Sequence, residues 1–289
     1  MKKIIIAGSF NTDLVITAPY APRGGETIMG SGFMENSGGK GANQATAVAK
    51  LGGQAYMCGC VGADGFGDTL INNLKSAGVN TDSVRKIEGV PTGVAVIVVT
   101  NGENRIIIDS GANGYLSKAD IDSALRVAEA GDKFLPQHEN PIDIVVYGLE
   151  KAKEKGLFTV LNPAPANVDI LKYAKFVDII TPYETESEIL GGKESLFDRG
   201  IKTVITTLGA AGYEIATRDG AKTYPCIKIT PVDTTAAGDT ATGGLCAKLA
   251  EGASIEDAMA YGSLAASIAC TRKGAQMSIP TRDEGVNYK

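Results

Sequence analysis

Apolar and polar residues follow two periods along the chain, one typical of buried strands and one of helices. Short apolar, β-branched runs predict strands at residues 3–8, 55–62, 157–162, 176–181 and 202–209. Between them, apolar residues at helical spacing, each segment closing on glycine, predict helices at residues 39–52, 64–78 and 117–131. This alternation predicts an α/β fold, a doubly wound and mostly parallel sheet with helices on both faces.

Residues 142–148, IDIVVYG, have the composition of a buried strand but lie in a helical pattern. Pro141 suits a first helical position, and the apolar residues after it fall on one helical face. We therefore predict a helix over about 141–155, preceded by a strand at 132–137. Glu139 then lies at the carboxyl end of that strand, which is where open α/β sheets bind ligands.

Two segments break the strand and helix rhythm. Residues 13–36 and 90–109 contain alternating and β-branched runs joined by turn signals, including Asn101-Gly102. They predict antiparallel strands that form a small sheet beside the main one.

Composition narrows the classes of partner. The formal net charge is −5, and no block of like charges offers a surface for polyanions, so no nucleic-acid partner is expected. No segment approaches the roughly 18 apolar residues that cross a membrane, so no membrane partner is expected. Five cysteines without a C-x-x-C pair predict reduced thiols in a cytoplasmic protein.

Common catalytic fingerprints are absent from the sequence. It contains no G-x-x-x-x-G-K-[ST] motif, no G-x-S-x-G motif and, after the first strand, no G-x-G-x-x-G motif. His138 is the single histidine, so neither a zinc cluster nor a two-histidine centre can form. An NAD(P)-dependent dehydrogenase is therefore disfavoured.

The stretch VDTTAAGDT, residues 232–240, places small residues where a helix is predicted to begin, near Ala236. Uncovered backbone N–H groups at a helix start attract anions, so a phosphate can bind there. Asp239 in the first turn would then accept a proton from an attacking hydroxyl. The alternative is structural: Thr235 or Asp233 caps the helix, and Asp239 complements its dipole.

A second glycine-rich element, SGGKGANQA at residues 37–45, also precedes a helix, with Lys40 and Asn43 near its start. Taken alone, it is equally consistent with a tight turn before a helix. Asn11 and Asp13 follow the first strand and would share the sheet edge with Glu139. These polar groups suit the hydrogen bonding of a polyhydroxylated ligand.

The two glycine-rich elements, in this order, resemble the ribokinase-like (PfkB) family of carbohydrate kinases. The resemblance implies a single kinase domain over 1–289 whose lid, about 13–36 and 90–109, covers the sugar and makes a homodimer contact. It runs nearly from end to end, through GSFNTD (8–13), GGKGANQA (38–45), GADGFGD (62–68), LNPAPA (161–166), TLGAAG (207–212), VDTTAAGDT (232–240) and TRKGAQMSIP (271–280).

Each site role is carried over from the family by motif position. The resemblance implies that Asp239 is the catalytic base, with the amides of Ala236, Ala237 and Gly238 as the anion hole. The sugar would be bound by Asn11, Asp13, Gly39, Lys40, Asn43, Glu139 and Asp239. The nucleotide would be bound by Thr207, Gly209, Gly212, Tyr183 and Gly238. A potassium ion would be held by the side chains of Asp233 and Ser278 and the carbonyls of Thr235, Ala269, Arg272 and Gly274, and Mg²⁺ would be contacted through water by Glu186.

The resemblance implies ATP-dependent phosphorylation of D-ribose at O5, giving D-ribose 5-phosphate and ADP. Alternatives are another PfkB sugar or nucleoside kinase and a catalytically weak sugar-binding protein. The sequence departs from the family pattern where Tyr183 replaces an asparagine, and where Ala241 and Thr242 replace a phenylalanine and an asparagine. These positions put the handling of metal and nucleotide in question.

Overall fold

The structure is a computed structural model that describes residues 1–101 and 103–287. Strands and helices alternate along most of the chain, as predicted. The strands are β1 (Lys3–Ala7), β2 (Asn11–Thr17), β3 (Ser31–Gly38), β4 (Gln54–Gly62), β5 (Asn80–Ile87), β6 (Val94–Thr100), β7 (Glu103–Asp109), β8 (Lys133–Pro136), β9 (Phe158–Leu161), β10 (Ile179–Ile180), β11 (Thr203–Thr207), β12 (Tyr213–Thr217) and β13 (Gly220–Tyr224).

The helices carry the start and stop signals seen in the sequence. Ser117 and Asp120 form a capping box at the start of one predicted helix, and the segment after Pro141 is helical as predicted. The helices are α1 (Lys40–Lys50), α2 (Gly65–Ser76), α3 (Lys118–Leu125), α4 (Ile142–Glu154), α5 (Glu184–Ile189), α6 (Gly192–Asp198), α7 (Ala237–Glu251), α8 (Ile255–Ala269) and α9 (Arg282–Asn287). None of those among the described residues combines the length and apolarity that crossing a bilayer requires.

The larger sheet has the strand order β13-β12-β11-β10-β9-β8-β1-β4-β5 and is parallel except for its β11–β12 and β12–β13 pairs. Its β1 strand is apolar from Ile4 to Ala7 because both faces are covered. Ile4 and Ile6 pack in a cluster with residues of α1 and α7, whereas Ile5 packs with residues of α3 and α4. The doubly wound fold class is confirmed.

The two segments that break the rhythm supply a second sheet, of order β3-β2-β6-β7. The prediction of antiparallel pairing was wrong for one pair, because β2 and β6 run parallel. The chain passes through β3, α1, β4, α2 and β5 between them, which is the long crossover that parallel neighbours need. Of the predicted Asn101-Gly102 turn, Gly102 lies outside the described residues.

The predicted strand at 176–181 is shorter in the structure. Only Ile179 and Ile180 form β10, and Phe176 is instead the last residue of a 3-10 helix, Val168–Phe176, that packs Ile170 and Ala174 into the core. Apolar residues that bury one side of an irregular helix resemble a buried strand in the sequence.

Candidate active site

The predicted sugar-side residues cluster where neighbouring strands end. β1 and β8 are parallel neighbours, so the chain leaves both at the same edge of the sheet. Glu139 follows β8, and its carboxylate accepts hydrogen bonds from the backbone N–H of Lys40 at 3.0 Å and from the hydroxyl of Ser9. Three distant parts of the chain therefore meet at one carboxylate.

Gly39 and Gly41 allow α1 to begin against the segment that follows β1. Gly39 has φ of 88°, and an ideal Cβ there would lie 2.7 Å from the backbone nitrogen of Asn11. At Gly41 a Cβ would lie 2.5 Å from the nitrogen of Ser9. The glycines thus bring the first turn of α1, with Lys40 and Asn43, up to Asn11.

Asn11 is oriented by a residue that the sequence analysis missed. The buried amide of Asn113 donates to Asn11 Oδ1 at 2.9 Å and to the carbonyl of Phe10 at 2.8 Å, and its oxygen accepts from the N–H of Phe10. Asn113 lies in a short 3-10 helix directly after β7. Its signal in the sequence was weak because no motif and no periodicity connects it with Asn11.

Asp13 lies in β2, opposite Asn36 in β3 and close to Gly38. A Cβ at Gly38 would lie 2.3 Å from its carboxylate, so this glycine makes room for the side chain. Burial, followed by repulsion from Glu139 and Asp239, raises the pKa of Asp13 to about 7.

A cavity of about 620 Å³ opens beside these residues. Asn11, Lys40 and Glu139 line it together with Ile108 of β7 and Glu186 of α5. His138 also lines it, but its Nδ1 contacts the carbonyl of Pro165, and burial lowers its pKa to about 4. The cavity has the size of a small-ligand site, with a few charged and amide side chains in a lining that is otherwise mainly apolar.

Asp239 lies in the first turn of α7 and is buried. Its Oδ2 accepts a hydrogen bond from Asn43 Nδ2, and its Oδ1 accepts one from Gln44 Nε2, both at 2.9 Å. Burial disfavours the charged form of Lys40, but the carboxylates of Asp239 and Glu139 outweigh that penalty and raise its pKa. The site therefore places a cation among several carboxyl groups.

The loop before α7 rules out the alternative in which a side chain caps the helix. The N-cap residue is Ala236, whose φ of 59° is left-handed and whose side chain makes no cap. Asp233 instead accepts bonds from the N–H and hydroxyl of Thr235 and from the N–H of Gly274. The N–H of Ala237 donates weakly to the carbonyl of Thr234 at 3.2 Å, so a phosphate would compete with that bond.

Among the predicted cation-binding residues, Asp233 contacts Thr235 and Gly274 directly. Its bond with Gly274 joins the loop before α7 to the loop after α8, where the buried hydroxyl of Ser278 donates to the carbonyl of Ala275. The carbonyl of Ala269 accepts from the N–H of Arg272. A carboxylate, a hydroxyl and carbonyl groups are hard oxygen donors, so this set fits a monovalent cation.

The predicted nucleotide residues form a second group at the end of β11. Thr207 forms an isolated bridge with Tyr183, and the ideal Cβ of Gly209 would lie 3.8 Å from the Tyr183 hydroxyl. Gly212 has φ of 104°, and a Cβ there would lie 2.0 Å from the carbonyl of Tyr224, so the turn requires glycine. Of this group, none lines the cavity, but Glu186, three residues after Tyr183, does.

A family model described as pfkB family carbohydrate kinase matches residues 1–282. The chain belongs to this family. Phosphate transfer to a sugar is accordingly the chemistry of this pfkB family kinase.

Two relatives of the pfkB family kinase differ in the sugar that their names give. It is 39% identical over 300 residues to a ribokinase of Haemophilus influenzae, covering 99% of this chain and 98% of the relative. It is 36% identical over 299 residues to a deoxyribokinase of Salmonella typhi, covering 99% and 98%. A solved structure of Arabidopsis thaliana ribokinase, complexed with ribose and ATP, matches with a TM-score of 0.87 at 31% identity, covering 99% of this chain and 97% of that one.

Proposed function

We propose that this kinase transfers the γ-phosphate of ATP to O5 of D-ribose, giving D-ribose 5-phosphate and ADP. The observation that carries the proposal is the buried carboxylate of Asp239 at the start of α7. The side-chain amides of Asn43 and Gln44 hold this carboxylate. Ribokinase relatives at 39% identity over nearly the whole chain support ribose as the sugar.

The reaction needs one base and one anion site. O5 attacks the γ-phosphorus, its proton passes to Asp239, and the bond from the γ-phosphorus to the bridging oxygen of ADP breaks. The amides of Ala236, Ala237 and Gly238 would stabilise the charge that develops on the transferred group. Gly238 is suited to this role because nothing lies within 4 Å of its ideal Cβ position.

The sugar and ATP would bind to two different groups of residues. Asn11, Asp13, Lys40, Asn43 and Glu139 would hold the sugar hydroxyls, with the backbone at Gly39 bringing α1 close to them. ATP would lie over Thr207, Gly209 and Gly212, beside Tyr183.

Two cations belong to this proposal. Mg²⁺ would come with ATP, with Glu186 contacting its water shell, and would neutralise phosphate charge. K⁺ would be held by Asp233, Ser278 and the nearby carbonyls of Thr235, Ala269, Arg272 and Gly274, where it would stabilise the loop before α7.

We also propose a homodimer formed through the β2, β3, β6 and β7 sheet, in the cytoplasm. Ile106, Ile107 and Ile108 of β7 are at least half exposed, which is unusual for three successive isoleucines. Ile107→Lys should convert a dimer into a monomer in size-exclusion chromatography with light scattering. A wild-type chain that is monomeric at micromolar concentration would contradict the dimer.

A panel of sugars in a coupled ADP assay tests the substrate. We expect D-ribose to give the highest kcat/KM, ahead of 2-deoxy-D-ribose, D-fructose and nucleosides, and we expect K⁺ to raise the rate. The deoxyribokinase relatives make 2-deoxy-D-ribose the second candidate. Calorimetric binding of ribose without ADP formation would instead indicate a sugar-binding protein.

A further inference from the structure

We infer that Gln44 is a positioning residue for Asp239, and that Gln137 acts through it. The inference rests on the proposed role of Asp239 as the base. Gln44 and Gln137 are fully buried, and neither was assigned a function from the sequence.

The contacts of Gln44 place its amide between three buried polar side chains. Its Nε2 donates to Asp239 Oδ1 at 2.9 Å and to Asn162 Oδ1 at 3.2 Å, and its Oε1 accepts from Gln137 Nε2 at 2.6 Å. Both N–H groups and the carbonyl of Gln44 are therefore engaged.

Two separate chains of hydrogen bonds determine which end of the Gln44 amide faces Asp239. The carbonyl of Leu135 can only accept, so the atom of Gln137 that contacts it is the nitrogen, which also donates to Gln44 Oε1. The carbonyl of Thr181 likewise requires the nitrogen of Asn162, which leaves Asn162 Oδ1 facing Gln44. Both chains start at a backbone carbonyl, and both require Gln44 to present N–H groups to Asp239.

The two carboxylate oxygens of Asp239 have different hydrogen-bond partners. Oδ1 is held by Gln44 from within the core, and Oδ2 is held by Asn43, whose own Oδ1 is buried without a partner. Asn43 is a proposed sugar contact and can hydrogen-bond the substrate. Both N–H groups and the carbonyl of Gln44 already have protein partners, so Gln44 stays bonded to Asp239. Gln44 thus holds the carboxylate while Oδ2 receives the proton of the sugar hydroxyl.

Gln44→Met removes the donor at nearly constant volume. We expect kcat to fall about 10- to 100-fold, as for other residues that orient a catalytic group, with little change in the KM for the sugar. Gln137→Met, which does not touch Asp239, should lower kcat in the same direction. The control is Thr46→Val on the same helix, a buried side chain that bonds only the carbonyl of Ala42.

Gln44→Glu gives a readout that a merely structural role would not move. Protonated Glu donates to Asp239 as Gln44 does, whereas ionised Glu repels it. We expect the activity of this variant to be highest at acidic pH and to fall as the pH rises, opposite to the ascending limb that a carboxylate base gives the wild-type enzyme.

The results separate this inference from the proposed function. Gln44→Met or Gln137→Met with wild-type kcat, or Gln44→Glu with the wild-type pH profile, overturns the role of Gln44. Equal losses of kcat in Gln44→Met and Thr46→Val also overturn it, because they indicate damage to α1. An inactive Asp239→Asn beside a fully active Gln44→Met would leave the base in place and reject only the positioning role.

Discussion

The carboxyl group of Asp13 is buried near two others, and this crowding controls its protonation. Burial and the charges of Glu139 and Asp239 raise its pKa from 3.8 to about 7, so near neutrality it is half protonated. Asp13 is proposed to bind the sugar, and a sugar hydroxyl donates better to a carboxylate than to a carboxylic acid. We therefore expect sugar binding and ionisation of Asp13 to favour each other.

Sugar affinity should accordingly weaken as the pH falls below 7. Between pH 7 and pH 6 the ionised fraction of a group with a pKa of about 7 falls about fivefold, and we expect the Kd for the sugar to rise by about that factor. His138, with a pKa of about 4, stays neutral in this range. Calorimetric titration checks this, with Asp13→Asn as the variant whose weak binding should not depend on pH; constant wild-type affinity from pH 6 to pH 8 would contradict it.

Tyr183 is the departure from the family pattern that lies among the residues proposed to bind ATP. Tyr183 is half-exposed, and its hydroxyl lies 3.8 Å from the ideal Cβ position of Gly209, within the group of residues proposed to bind ATP. In the proposed nucleotide site the Tyr183 hydroxyl would donate to a phosphate of ATP. Loss of such a bond costs about 1.5–3 kcal/mol, so Tyr183→Phe should raise the KM for ATP about tenfold or more. Steady-state kinetics should show an unchanged KM for the sugar; a change in the sugar KM alone would place Tyr183 outside the nucleotide site.

Sequence reasoning found the charged groups of the site and Asn43, but not Gln44, which also holds Asp239, or Asn113, which orients Asn11. Glu139, Lys40 and Asp239 follow strand ends or glycine-rich turns, and those are local signals. Gln44 reaches Asp239 across 195 positions, and Asn113 reaches Asn11 across 102, so only the fold brings them together.

Helices α7 and α8 cross so closely that their backbones are almost in contact. Ala241, which stands where the family pattern has a phenylalanine, lies at this crossing. A Cβ at Gly244 would lie 2.8 Å from the Cα of Gly262, and one at Gly262 would lie 2.2 Å from the carbonyl of Ala241. Ala241 is buried in the core. Small residues at this crossing therefore permit close packing behind Asp239.

Gly262→Ala should be destabilising because it inserts a methyl group against backbone atoms that cannot move aside. Overpacking of this kind costs about 1–3 kcal/mol, which corresponds to a Tm lower by about 2–5 °C for a chain of this size. Gly65→Ala in α2 is the matched control, since nothing lies within 4 Å of its ideal Cβ. Equal Tm values for the two variants in a thermal melt would show that the crossing can relax.

The type of an element could often be predicted from its sequence pattern, but the direction of two neighbouring strands could not always be. The helix after Pro141 was predicted against its strand-like composition because proline and the apolar spacing agree. The direction of β2 relative to β6 was not, since both directions give the same alternation and only the order in which strands join the sheet distinguishes them.

In the whole molecule, the doubly wound sheet brings the proposed base and the proposed sugar-binding residues together at the carboxyl ends of its parallel strands. α1 supplies the glycine-rich turn, α7 supplies the base, and the second sheet contributes Asn11, Asp13 and Ile108. The catalytic geometry thus depends on two sheets and two helix starts that are far apart in sequence, and the sheet edge is what assembles them.

Turnover and ribose binding by Asp239→Asn test whether Asp239 is the catalytic base. Removing a general base lowers the rate about 10²- to 10⁴-fold, so ADP formation should be nearly lost while calorimetry still detects ribose binding. Asp132→Asn is the control, because Asp132 is also buried but accepts backbone bonds at the opposite end of β8. An Asp239→Asn enzyme that keeps most of its wild-type kcat would contradict the account.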